Sequence, residues 1–367
     1  MKTARDEKPP RRTVRGALAI AFVTLGAREL HAEVAPGARP PSAHGFDVFR
    51  IEQEDKITVP PEIAPDVWAF LERFLVSDKE SLHALDPGFT SYWHEELFVD
   101  TYFDTPALVV YGKGGGVRHR RRWDLTDPTH RKSGRELVQI KLNGVSAKDT
   151  ERGEIKFDVE YPKKVRRADD AHPLLGIVKA DQREALVARL ADAGVDARAM
   201  TPILDVEDVR RRIYVLKGGR PFLSVSFDTA SSSDLWARWH VIEIEPELNE
   251  IPYTEADDAT RQSMTRINER ISAALRDRFP SLERDLTPKY EKAFAGLEGQ
   301  IPFYRFLVSH DLDDAGGVLG LLVLAAAPLV FATFVIGAKA RRRVAAVPAP
   351  RGSTPTVAGR SSAPGTP

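Results

Sequence analysis

Two carboxylates and an ammonium alternate along Arg50–Pro60 (RIEQEDKITVP): Glu52, Glu54 and Lys56. On a β-strand, successive side chains point to opposite faces, so these three share one face, and Ile51, Gln53, Asp55 and Ile57 share the other. Burying such charges against an apolar core is costly. They suit a polar cavity that holds a metal ion and an anion together. Hard divalent cations take carboxylate oxygens. Phosphate oxygens take Lys and Arg, with Arg offering a two-pronged fork.

Other segments repeat the alternation. Val117–Trp123 sets Arg118, Arg120 and Arg122 on one face, and Leu137–Leu142 sets Gln139 and Lys141 together. Glu154–Tyr161 opposes Glu154, Lys156, Asp158 and Glu160 to Ile155, Phe157, Val159 and Tyr161. Val209–Leu216 offers Arg210 and Arg212, Phe222–Asp228 offers Ser224, Ser226 and Asp228, and Trp239–Glu245 pairs Glu243 with Glu245. The acidic set is therefore Glu52, Glu54, Glu154, Asp228, Glu243 and Glu245. The basic set is Lys56, Arg118, Arg120, Lys141, Arg210 and Arg212, joined by Lys289 from a late segment. A barrel of antiparallel strands would bring both sets into one lumen.

The elements between these strands read as helices and turns. Ala64–Val76 places Val67, Phe70, Leu71 and Phe74 at helical spacing, Asp181–Ala193 turns Leu186, Val187 and Leu190 inward, and Glu255–Phe279 does the same with Met264, Ile267, Ile271 and Leu275. Leu97–Thr105 reads as a strand closed by Pro106. Gly112–Gly116 (GKGGG) is a flexible turn, and no Lys-Ser/Thr follows it to make a phosphate loop.

The chain has 367 residues, with Lys plus Arg equal to Asp plus Glu at 53 each, so no net field favours nucleic acid. It has no cysteine, which excludes disulfides and thiolate metal sites. The nine histidines show no metal-binding spacing.

Residues 1–32 carry a basic stretch, a short apolar run (Gly16–Ala27) and Leu30-His31-Ala32, the pattern of an export signal. Residues 33–45 read as a linker, 46–300 as the charged-strand domain and 301–315 as a juxtamembrane linker. Residues 316–338 are 23 positions without a charge, long enough to cross a bilayer as one helix. Lys339, Arg341, Arg342 and Arg343 follow, so positive charge places residues 339–367, a disordered tail by composition, in the cytoplasm. The charged-strand domain is then extracytoplasmic.

Several of these segments resemble the CYTH, or triphosphate tunnel metalloenzyme, family. Glu52-x-Glu54-x-Lys56 is similar to its ExExK signature, Tyr102-Phe103-Asp104-Thr105-Pro106 to its YFDTP and Val117–Arg121 to its LRIRR. Ile140–Gly144 resembles its LKG, Ile242–Glu245 its EIE and Pro288–Glu291 its SKYE, all in the family's order. The resemblance implies an α+β fold built on a closed eight-stranded antiparallel barrel with flanking helices. It implies a triphosphate or polyphosphate in the tunnel and Mg²⁺ or Mn²⁺ as cofactor. By position, Glu52, Glu54, Glu243 and Glu245 would hold metal, with Glu154 and Asp228 beside them. Lys56, Arg118, Arg120, Lys141, Arg210, Arg212 and Lys289 would hold phosphate, and Glu52, Glu54 and Lys56 would serve catalysis. The chain departs from the pattern at Lys156, where a second glutamate is expected, and at Asp208, where a basic residue is expected.

The expected activity is metal-dependent hydrolysis of triphosphate or short polyphosphate. The alternatives are a phosphate-binding module without catalysis and, more remotely, a nucleotide cyclase.

Overall fold

The computed structural model describes residues 50–126, 136–142, 151–161, 171–312 and Gly317. The chain divides into a unit Met1–Ser42, outside the described residues, and a unit Ala43–Pro367, which holds everything below.

Among the described residues ten strands form one antiparallel sheet: β1 (Arg50–Gln53), β2 (Ile57–Thr58), β3 (Phe89–Asp104), β4 (Gly116–Asp124), β5 (Leu137–Leu142), β6 (Glu151–Asp158), β7 (Thr201–Lys217), β8 (Arg220–Asp234), β9 (Ala237–Leu248) and β10 (Glu283–Arg284). Their order is β1-β6-β5-β4-β3-β7-β8-β9-β2-β10. The expectation of a closed eight-stranded barrel is therefore corrected: among the described residues the sheet has ten strands and its ladder is open.

The reason lies in residues 50–58. β1 pairs with β6, with Glu52 opposite Arg152 and Arg50 opposite Glu154. At Glu54 the chain leaves β6 and bridges Glu247, and Ile57 and Thr58 then pair with Ile244 and Glu243 of β9. The two regions of the sheet that β1 and β2 occupy are thus joined by residues 54–56 of the chain, not by a continuous ladder. Register shifts between Tyr102 and Phe103 and between Val215 and Leu216 interrupt the long strands. Such irregularities bend strands and increase their twist.

Alternation then sorts the side chains. Val117, Val138, Ile140 and Phe157 pack with Leu174, Leu186, Leu190 and Met200. These last come from α4 (Pro173–Ile177), α5 (Arg183–Asp192) and the turn before β7. Ile57, Ile213, Val225 and Ile244 pack with Val67 and Leu71 of α1 (Ala64–Glu72) and with Ile271 and Leu275 of α7 (Asp258–Arg278). The helix expected over 64–76 gives way to a π-helical turn at Arg73–Ser77, after which α2 (Lys79–Leu85) is capped by Asp78. The helix expected over 255–279 is α7, whose N-cap Asp257 accepts from Thr260 N at 2.8 Å. A short helix, α6 (Glu250–Glu255), precedes it.

A third cluster joins Tyr102, Val206 and Ala230 to α8 (Lys289–Glu298) and α9 (Tyr304–Ser309). On α8 the buried positions are Lys289, Tyr290, Ala293, Phe294 and Leu297, one helical stripe. Gly296 lets α8 lie against β9, because a Cβ there would collide with the Trp239 indole. Asp104 ties α8 to the short α3 (Val109–Gly112): it accepts from Val110 N at 2.9 Å, Tyr111 N at 2.8 Å and Tyr290 Oη at 3.1 Å.

Among the described residues no helix is long and apolar enough to cross a membrane. The predicted span 316–338, Gly317 apart, lies outside the described residues, as do the predicted signal, the 33–45 linker and the 339–367 tail.

Candidate functional site

With its apolar face turned to the helices, the sheet keeps its charged face for a cavity of about 120 Å³. Lys56, Arg118, Arg120, Lys141, Lys156, Arg210, Arg212 and Lys289 line it, together with Glu154, Glu245, Glu247 and Glu250. All seven predicted phosphate-binding residues are in that set. Gln139, Tyr102, Pro288, Tyr290 and Gly114–Gly116 complete the wall.

Register explains the grouping. On β3 and β4, Asp100 faces Arg120 and Tyr102 faces Arg118. Arg120 donates from Nε to Asp100 Oδ1 (2.7 Å) and from Nη2 to Oδ2 (2.6 Å), a two-pronged pair, and Arg118 donates to the same carboxylate at 3.0 Å. Burial alone would push Asp100 up, but Arg118 and Arg120 outweigh it and hold the carboxyl at about 2. Arg118 also donates to Gln139 (2.8 Å), which in turn donates to Glu154 (2.7 Å).

Across β3, β7, β8 and β9 a row of charges runs Glu96, Arg210, Asp228, Glu243, each opposite the next. Arg210 grips Asp228 and donates to Glu245 Oε2 at 2.7 Å. Lys289, brought in by the first turn of α8, meets Asp228 and lies 3.2 Å from Asp208, 3.2 Å from Glu245 and 3.6 Å from Glu243. Desolvation works against its charge, yet Asp208, Asp228 and Glu245 raise its pKa well above the ordinary value. Asp228 itself is pushed up to about 6 by burial, against the pull of Arg210 and Lys289. Lys56 donates to Glu245 at 3.0 Å and lies 3.3 Å from Glu54, whose other oxygen is 4.0 Å from Lys141.

Of the predicted metal ligands, Glu154 and Glu245 line the cavity, while Glu54, Asp228 and Glu243 are buried just behind its wall, against the cations that do. Glu52 sits on β1; its side chain lies outside what is described. Among the described residues no three acidic or histidine groups converge as a ready metal cage, because Lys and Arg stand between the carboxylates. The donor chemistry still fits Mg²⁺ or Mn²⁺. The donors are hard oxygens, and Asp208 Oδ1 and Glu243 Oε2 are among the buried ones that make no hydrogen bond among the described residues.

The two departures from the family pattern become intelligible. Lys156 is 2.6 Å from Glu154 and 2.6 Å from Glu250, so a carboxylate from α6 stands beside the place where a strand glutamate was expected. Asp208 supplies one of the carboxylates around Lys289. Arg122 does not line the cavity and pairs with Glu96, and Arg212 donates to Ser226 at 3.0 Å. Asp100, Glu96 and Glu250 received no role from the sequence. The first two carry a usable signal, the alternation Glu96, Phe98, Asp100, Tyr102 on β3. Glu250, on a helix just after β9, carries none.

No family model matches the chain, and no curated protein matches it. Among solved structures it is similar to a protein of Pyrococcus horikoshii OT3, with 17% identity over 66% of this chain and 96% of that one at a TM-score of 0.35. It is similar to an adenylyl cyclase candidate from Hippeastrum with a dominant triphosphatase activity, with 14% identity over 69% and 98% at 0.34. It is also similar to the Pct1 RNA triphosphatase of S. pombe, with 11% identity over 62% and 82% at 0.30. Such scores are too low for the likeness to define the fold.

Proposed function

We propose that this chain hydrolyses a triphosphate or short polyphosphate in a divalent-metal-dependent reaction, as a member of the triphosphate tunnel family. The observation that carries the reading is the cavity wall, where eight Lys and Arg side chains face four carboxylates. Cations outnumber carboxylates two to one on the wall itself, with Asp100, Asp208, Asp228, Glu243 and Glu54 buried behind them, an arrangement that suits a small polyanion and is worth more there than in water.

Arg118, Arg120 and Lys141 take phosphate oxygens first, since Asp100 occupies only part of the donor capacity of the two arginines. Arg210, Lys56 and Lys289 exchange carboxylate oxygens for phosphate oxygens, which are equally hard acceptors. The exchange releases Glu245 and Glu54 from Lys289 and Lys56 and frees Glu243 Oε2 from Lys289, while Lys292 keeps Glu243 Oε1. With Glu52, these would hold Mg²⁺ or Mn²⁺, with Glu154 and Asp228 beside them. The metal would offset charge on the phosphates and make a bound water more acidic. The chain's own part is positioning and charge neutralisation, which dominate phosphoryl transfer.

Phosphate release is the test, with triphosphate, ATP, thiamine triphosphate and polyphosphate offered with Mg²⁺, Mn²⁺ or EDTA. The expected result is metal-dependent release that Glu52→Gln/Glu54→Gln abolishes. No release with any of these, while triphosphate still raises Tm, would replace hydrolysis by binding alone. That second reading is favoured by Lys156, which already holds Glu154.

We place this domain on the extracytoplasmic side of a membrane, held by residues 316–338 as a single span. The support is the uncharged stretch itself and the basic cluster that follows it.

A further inference from the structure

The exposed aromatic side chains at one end of the sheet have no partner in the site. Trp236, at the tip of the β8–β9 hairpin, is 59% exposed, Phe303, before α9, is 83% exposed and Phe306, on α9, is 46% exposed. They form one region: Trp236 Nε1 donates to Gln300 O at 3.2 Å, Gln300 exchanges hydrogen bonds with the Arg238 backbone, and Tyr304 Oη donates to Asp234 at 3.0 Å. Phe303, Phe306 and His310 follow helical spacing, and the last two rings lie 4.2 Å apart, so one outer face of α9 is aromatic while Tyr304, Leu307 and Val308 face inward.

The backbone holds these tips out at a cost. Phe303 has φ 63° and Leu235, just before Trp236, has φ 48°, a left-handed conformation that bulky residues adopt unwillingly. Apolar side chains pushed into water on strained turns need an apolar partner.

We propose that this end of the sheet rests on the lipid bilayer, with Trp236, Phe303 and Phe306 in the headgroup–acyl boundary; the inference rests on the anchor reading given above. Tether length selects the partner. α9 ends at Ser309 and the uncharged stretch starts at Gly316, so a few residues, at about 3.5 Å each, keep α9 within roughly 25 Å of the surface. Aromatic rings gather at that depth because they pair an apolar body with a polar edge. Arg238, exposed, flanks the patch and suits a headgroup phosphate, whereas Arg305 is held by Glu298. The opposite end of β8, at Arg220, lies roughly 45 Å away along a 15-residue strand and should stay in water.

The chain has no cysteine, so one label site can be added at a time. Full-length Phe303→Cys, Trp236→Cys and Arg220→Cys, each carrying an environment-sensitive fluorophore, would be reconstituted in phosphatidylcholine/phosphatidylglycerol vesicles containing brominated lipid. We expect at least twofold stronger quenching and a blue shift at 303 and 236, with 220 unchanged. Equal quenching at all three sites, in chain that carbonate fails to strip from the vesicles, would overturn the docking and keep the anchor. Chain stripped by carbonate would overturn the anchor, and the docking with it. A blue shift at 303 without quenching, growing with protein concentration, would assign the patch to a second copy of the chain and overturn the proposal.

Discussion

The two walls of the cavity solve opposite problems with the same residue types. On the β3–β4 side a single buried carboxylate, Asp100, serves two arginines, Arg118 and Arg120, and the group carries surplus positive charge. On the β7–β9 side Asp208, Asp228, Glu243 and Glu245 crowd around Arg210, Lys289 and Lys56, and the surplus is negative. The first wall can accept an anion with its scaffold intact. The second must exchange partners, which is the behaviour expected of a place that receives phosphate and cation together. Polarity of this kind needs strand register, since most of these pairs lie on neighbouring strands or reach in from α8, with Arg210 reaching across β8 to Glu245 and Lys56 coming from the link between β1 and β2.

The contrast predicts unequal sensitivity. Lys289→Met leaves four carboxylates short of one buried cation and should cost about 3–5 kcal/mol in denaturant unfolding, because an uncompensated buried charge is left behind. A loss under about 1 kcal/mol would mean that the carboxylates share protons instead and that the wall is not strongly negative.

The arginine wall should show itself in acid. The folded-state pKa of Asp100 is about 2, below the ordinary 3.8, so its stabilisation is complete above pH 4 and disappears as pH falls through 2. The shift corresponds to about 2.5 kcal/mol. Asp100→Asn should flatten the difference in stability between pH 4.5 and pH 2.5 that the unaltered protein shows, and an unchanged acid profile would assign it to other carboxylates.

Arg118→Met should cost only about 2 kcal/mol, because Arg120 still grips Asp100 with both prongs. It should nonetheless weaken triphosphate binding at least tenfold, measured by calorimetry at fixed salt. Affinity retained within twofold would remove the β3–β4 wall from the ligand site.

The smallest effect concerns delivery. Gly296→Ala drives a methyl group into Trp239 and should cost at least about 1 kcal/mol while shifting α8, and with it Lys289. Triphosphate affinity should fall although no ligand-facing residue changed. If stability falls and affinity does not, Lys289 is placed independently of the packing of α8.

How much of this was readable beforehand follows from the length scale of each feature. Which side chains share a face was legible, because strand alternation is a local property: Arg118, Arg120, Lys141, Arg210 and Arg212 were picked out this way and all line one cavity, whereas Lys289, on α8, came from the family resemblance. Three helices, α1, α5 and α7, were legible from their apolar stripes, while α2, α4, α6, α8 and α9 were not. The partner of each charge was not. Asp100 beneath two arginines, Glu250 across Lys156 and the carboxylates around Lys289 depend on contacts between residues up to 94 positions apart, set by register and helix placement. The open ladder was equally hidden, since β1 and β2 look like one strand in the sequence and only the folded sheet shows the chain changing partner at Glu54.

The sequence by itself determined a charged face and an apolar face on each strand, because side-chain direction depends only on the residue's own backbone. Tertiary structure decided which charges meet, because pairing depends on register, curvature and the docking of α8, and no short stretch encodes these.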